Sequence, residues 1–289
     1  MIQAAAKPQL DIGELVMHHT SDAYGLDFAP FGEIHWHRWP DLHIGPWSVN
    51  VTPTKHVVFL FLSAALVFLT MWTAGRALKK QRAGQNAPHG FAAAIEGLVL
   101  FVRDEIAITN IGHGGEKFAP LVMTLFFFIL YSNLLGLLPW GASPSGNVAV
   151  TGALAIVVFL TVEIAGFRKL GPRGYMRSIF PVVPGMTGAS GALISVAMAP
   201  IELLGKFVKP FAMAVRLFGN MTAGHFVILS LFGIMFLFGN LGVWSYGIAG
   251  TTVLLLVGIM MLELFVAVLQ AYVFALLTAV FIGLMQHEH

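Results

Sequence analysis

Five polar side chains fall on one narrow face of a single apolar stretch: Glu202, Lys206, Lys209, Arg216 and Asn220. Taking a helical rotation of about 100° per residue and Glu202 as zero, Lys206 lies at about +40°, Lys209 at about −20°, Arg216 at about −40° and Asn220 at about 0°. His225, at about 140°, is off that face. In a second apolar stretch Glu263 and Gln270 are seven residues apart and so share a face, two turns from each other. These are groups for holding and moving charge. Carboxylates and an imidazole exchange protons, amides orient them, and a guanidinium stays protonated at any physiological pH. Ionisable groups in apolar stretches are expensive and face a cavity or a partner.

Arg216 is the most isolated of them. After it no charged side chain appears until Glu263, counting histidine as neutral, and no acid lies one or two turns away along the helix. It reads as a cation whose carboxylate comes from another chain. Glu202, Lys206 and Lys209 have two readings. They pair with one another near an interface, with long stems reaching water, or they belong to the same functional face as Arg216.

The elements that must position these groups are membrane helices. The chain has 289 residues, 57% hydrophobic and 10% charged, with a mean hydropathy of +0.80. Soluble domains carry about 25% charged residues, so the composition is that of an integral membrane protein. A net charge of +2, with the basic residues in short loops, gives no face for nucleic acid. The absence of cysteine excludes disulfides, thiolate metal sites and thiol nucleophiles. Residues 1–17 lack the basic start and apolar run of a leader peptide. Residues 1–56 form a polar, aromatic region with histidines at 18, 19, 35, 37, 43 and 56. His35 and His37, in HWHRW, lack a further ligand set and read as surface or packing residues.

The spans follow from apolar runs and loop charge. Residues 57–75 form a first span, near the ~20 residues a crossing helix needs. RALKKQR (76–82) is basic and therefore cytoplasmic, which leaves the N-terminus outside. Residues 91–108, with Glu96, Arg103 and Asp104 among apolar positions, predict an interfacial helix. Spans at 118–139 and 148–167 flank the uncharged turn WGASPSGN (140–147), and the basic RKLGPRGYMR follows. A helix over 186–238 would be ~80 Å long against a hydrocarbon core of ~30 Å. It either folds at GKFVKP (205–210) into two spans or lies steeply tilted. After a turn at 239–247 a last helix runs to 285, with the C-terminus cytoplasmic. The chain carries no internal repeat of the kind common in secondary transporters. A stand-alone secondary transporter is the alternative function class.

RLFGNMTAGH (216–225), LQAYVFALLT (269–278) and SNLLGLLP (132–139) closely resemble subunit a of the F-type ATP synthase membrane sector. The resemblance runs from roughly residue 45 to the C-terminus. It implies an all-α protein of about five membrane helices, the last two long and tilted as a hairpin against a ring of c subunits, plus one interfacial helix. Residues 1–56 would be an extracytoplasmic region and 57–289 the membrane domain. It implies Arg216 as the partner of the ring carboxylates, with Asn220 and Gln270 on the same surface. His225, Glu263 and, more weakly, Glu202 would line the proton pathway. It implies no catalytic chemistry of the chain's own and no cofactor. The implied partners are the c-ring, the b-subunit peripheral stalk and the lipid of a bacterial inner membrane. Two departures stand out. Many bacterial relatives have an acid where this chain has His225 and a histidine where it has Glu263, which predicts that the two are neighbours. Gly136 stands where some relatives have a carboxylate.

Overall fold

The computed structural model describes residues 13, 22–27, 32–44, 47–50, 52–82, 91–138, 141–180, 188–238 and 242–287. Residues 1–17 apart from Gly13, His18 and His19, and parts of the loops (140 and 239–241) lie outside the described residues. The main helices are α1 (Lys55–Arg82), α2 (Phe91–Phe101), α3 (Gly115–Gly136), α4 (Val148–Ile179), α5 (Ala189–Leu237) and α6 (Val243–His287). α2 continues through a π-helical stretch, Val102–Ile108, into a last turn, Thr109–Ile111. Five helices are long and apolar enough to cross a membrane, namely α1 and α3 to α6. α2 is not among them. The expected all-α membrane architecture is therefore met. It is preceded by two short β-hairpins the sequence reading did not anticipate. β1 (Gly25–Asp27) pairs with β2 (Glu33–His35), and β3 (Leu42–Ile44) pairs with β4 (Trp47–Val49), both antiparallel. This region is fastened to the start of α1: the Lys55 backbone N–H donates to Ala23 O at 2.9 Å, and His56 Nδ1 lies 2.8 Å from Asp22 Oδ1.

Helix ends follow local chemistry. α4 starts at Asn147, whose side chain accepts a hydrogen bond from Ala149 N at 2.9 Å, a standard way to satisfy an end-of-helix donor. The helix was expected to end at 167 but continues to Ile179, broken at Gly171 (φ 68°, ψ 174°), which Pro172 follows. Glycine tolerates that backbone where a side chain would not, and proline suits the first position of the helix that restarts. The break turns the chain back on itself. Tyr175 Oη donates to Glu163 Oε2, although 12 residues of straight helix would set them about 18 Å apart.

α5 settles the choice left open by its length. It is one continuous helix of 49 residues, with no fold at 205–210. Pro200 and Pro210 lie inside it; each removes one backbone donor, which a long packed helix absorbs. At ~1.5 Å per residue α5 is about 74 Å long, so it fits a ~30 Å hydrocarbon core only when steeply inclined. α6, with 45 residues, is under the same constraint. The two pack antiparallel. Asn220 meets Gln270, Gly224 meets Glu263 and Lys209 meets Phe281, a near-constant register.

The core lies between α6 and α3. Ala267, Ala271, Ala275 and Ala279, every fourth residue of α6, are each 0% exposed. Ala271, Ala275 and Ala279 share the buried cluster with Val122, Leu125, Phe126 and Ile129 of α3. Inside lipid there is little hydrophobic drive between helices, so small residues that allow close backbone approach do the joining. Ala275→Leu should therefore force α3 and α6 apart at a cost of about 1–3 kcal/mol. Phe61→Ala, at a side chain 68% exposed on α1, should cost far less. Thermal unfolding of the purified protein in mild detergent separates the two variants.

Candidate functional site

α5 carries two faces. Met213 (2% exposed), Leu217 (0%) and Met221 (3%) turn inward and hold the helix in place. Arg216 and Asn220, one turn apart, lie on the exposed side. Among the described residues no carboxylate comes within salt-bridge distance of Arg216. Asn220 Nδ2 donates to Gln270 Oε1 at 3.2 Å, and Gln270 is buried to 2% exposure. Gln270 thus orients the amide next to Arg216 and does not touch the guanidinium. The rest of the stripe behaves differently. Lys209 stands over the Phe281 ring at 5.5 Å. Glu202 is half-buried and does not pair with either lysine. Lys206 turns instead to Glu163 of α4, Nζ to Oε2 3.6 Å. The pairing of Glu202 with the lysines is therefore corrected: a carboxylate on a neighbouring helix outcompetes the one on the same helix.

Across the α5–α6 hairpin it is Gly224, the residue before His225, that meets Glu263. Glu263 is 7% exposed, and its carboxylate lies against Gly224, where a Cβ would collide with it. No hydrogen bond joins His225 to Glu263, and Glu263 Oε2 has no hydrogen-bond partner among the described residues. A buried carboxyl oxygen left without a partner in an apolar protein is uncommon and calls for an explanation. His56 and Lys55, at the start of α1, act electrostatically on His225, so its surroundings include the N-terminal end of the first span. His35 ends β2, opposite Gly25. Among the described residues no three His, Cys, Asp or Glu side chains cluster closely enough to hold a metal ion.

The sequence reading did not name the buried polar network beneath this face. Ser132 Oγ donates to Ser63 Oγ (3.2 Å) and Ser143 Oγ to Ser132 O (3.1 Å). Ser145 Oγ donates to Asn133 Oδ1 (2.6 Å), and Asn133 Nδ2 to Ala267 O (3.2 Å). The network ties α1, α3, the turn before α4 and α6 together at the Ala267 end of the α6 seam. Its one legible signal was the Ser132–Asn133 pair inside an apolar span. The turn also accounts for Gly136: a Cβ there would stand 2.5 Å from Ser143 Cβ, so no carboxylate fits without moving that turn.

Fold and site together define a multi-pass helical membrane protein whose long helix hairpin exposes an arginine beside an amide that a buried glutamine holds from within. A family model described as ATP synthase A chain matches residues 57–283. The chain is 44% identical to ATP synthase subunit a 2 of Chlorobaculum tepidum over 281 residues, covering 97% of this chain and 75% of the relative. It is 42% identical to ATP synthase subunit a of Chloroherpeton thalassium over 273 residues, covering 94% and 77%. It is 41% identical to ATP synthase subunit a of Anaeromyxobacter dehalogenans over 281 residues, covering 94% and 69%. The chain belongs to the ATP synthase subunit a family.

The socket at Gly224 generates a direct expectation. Gly224→Ala should push the Glu263 carboxylate out of place and destabilise the hairpin by about 1–3 kcal/mol. In a Glu263→Ala background the same change should cost almost nothing, because the colliding group is gone. A double-mutant cycle on thermal unfolding in detergent reads the coupling; additive effects would contradict the contact.

Proposed function

We propose that this chain is the proton-translocating stator subunit of an F-type ATP synthase, with two half-channels separated by Arg216. The observation that carries the reading is Arg216, exposed on an apolar helix and without an ion-pair partner among the described residues. A bare guanidinium facing lipid is costly, so its face is one that a partner covers, and the partner supplies carboxylates. In this reading that partner is the c-ring. The chain has no catalytic chemistry of its own and works within the whole complex, beside the b-subunit peripheral stalk, in a bacterial inner membrane. Its N-terminus lies outside and its C-terminus in the cytoplasm.

The physics gives each residue its role. A ring carboxylate entering the interface sheds its proton and must stay charged in a poor solvent for charge. A cation at ~4 Å favours the ionised form by about 4 kcal/mol at an effective dielectric near 20. Arginine does this without relaying the proton itself, since its pKa is above ~12, whereas a buried lysine loses its charge readily. Asn220, held by Gln270, lines the approach to Arg216. Protons cannot pass Arg216 directly and must ride the ring. The membrane potential, worth ~2.3 kcal/mol per charge per 100 mV, biases the direction. His225 and Glu263 form the proton-handling unit of the outward half-channel. Glu202 serves the cytoplasmic side.

Two measurements test the reading. Arg216→Ala should abolish ATP synthesis in inverted vesicles while the complex still assembles; near-normal synthesis by an assembled variant would overturn the role of Arg216. For the outward unit, Glu263→His and His225→Glu should each slow proton flux several-fold. The double exchange should recover more flux than either alone, because it restores one acid and one imidazole at the crossing. Equal flux in all four proteins across pH 6 to 9 would remove His225 and Glu263 from the pathway.

A further inference from the structure

Of the three cations on the stripe of α5, Arg216 has no ion-pair partner among the described residues, Lys209 stands over an aromatic ring, and Lys206 is held by several groups at once. Lys206 Nζ lies 3.6 Å from Glu163 Oε2, donates to Ser178 Oγ at 3.2 Å and stands 4.4 Å from the centre of the Tyr175 ring. The Lys206 side chain is 8% exposed and that of Glu163 16%. Tyr175 Oη donates to the same Glu163 oxygen. Tyr175 and Ser178 reach this place only because the break at Gly171 turns the end of α4 back along itself. Phe159 and Phe207 stack beside the pair at 5.0 Å, and Phe167 packs edge-on against Tyr175 at 5.8 Å.

An ion pair buried this well is a weak source of stability, since desolvation offsets most of the attraction. Its effect on the face is larger. Lys206 is four residues from Glu202 and shares the face that holds Lys209, Arg216 and Asn220, so its long flexible stem would otherwise bring a further ammonium onto that face, one that lacks the aromatic ring on which Lys209 rests. A further free cation there competes with Arg216 for the same ring carboxylates and holds them in the charged form away from the arginine.

We propose that Glu163, with Tyr175 and Ser178, is a positioning residue that sequesters Lys206 and keeps its ammonium off the face that presents Arg216. The inference rests on the stator reading above, and it is specific in sign. The harm of losing Glu163 comes from Lys206 being set free, not from the loss of a brace. Glu163→Gln should therefore lower proton flux per assembled complex about tenfold or more. Adding Lys206→Gln to that variant should restore at least half of the wild-type flux. Lys206→Gln alone should be nearly silent, and Glu163→Asp should keep most of the flux. Complex content is measured by native gel, and flux in vesicles carrying the whole complex. A merely structural pair predicts the reverse: the double variant would be as slow as Glu163→Gln or slower, and that result overturns the proposal. Should Glu163→Gln fail to assemble, the double variant decides, with near wild-type flux supporting sequestration and low flux overturning it. Arg216→Ala, run beside these variants, separates the two claims. If it remains coupled, the stator reading itself fails. If it is inactive while the double variant stays slow, only the sequestration fails.

Discussion

A guanidinium cannot be neutralised at physiological pH, and in this chain none of the described carboxylates reaches Arg216. That uncompensated charge sets terms for everything around it. The helix that bears it must be anchored firmly from behind, because the charged side has nothing of its own to hold. Met213, Leu217 and Met221 provide that anchoring, all nearly fully buried along the side of the helix that adjoins the polar stripe. The amide next to it must be fixed by a group that adds no charge, which is what the Asn220–Gln270 hydrogen bond does.

The remaining polar groups are handled so that they do not disturb this arrangement. The side chains of Ser63, Ser132, Ser143, Ser145 and Asn133 satisfy one another internally in a network that ends on the Ala267 carbonyl of α6. In lipid no water is available to complete such bonds, so they must close within the protein. The alanine seam of α6 lets α3 come close enough for Asn133 to reach that carbonyl. Packing and polar satisfaction are therefore one design: widen the seam and the amide loses its acceptor.

The sequence revealed the helices and the stripe because both depend on local periodicity. Residues 202 to 220 display a face by spacing alone, and an apolar run of known length reports a crossing helix. What it did not reveal depends on contacts distant along the chain. The partner of Lys206 is on another helix, and the groups that complete the cluster lie beyond a reversal at Gly171 that a run ending at 167 does not disclose. The continuity of α5 through Pro210 was ambiguous, since proline in a helix is usually a stop and is tolerated here by packing along the whole hairpin. The hairpins β1–β2 and β3–β4 are three-residue strands, too short for an alternating pattern to be visible. Gly224 looked like an ordinary glycine in a recognisable motif. Its role as a socket appears only when Glu263 is set against it.

The antiparallel crossing of α5 and α6 has a consequence for how such a chain can change over time. Lys209 over Phe281, Asn220 on Gln270 and Gly224 under Glu263 are three fixed rungs along one ladder. Substitution at a position between rungs leaves the register of the ladder intact. Inserting or deleting one residue between 209 and 224 rotates everything beyond it by about 100°. Either change would turn Arg216 or its neighbours off the outer face and break at least one rung, whatever residue were inserted. The tolerance of this hairpin is thus asymmetric: its letters are open to revision, but its spacing is not, and length variation is confined to the connections between helices.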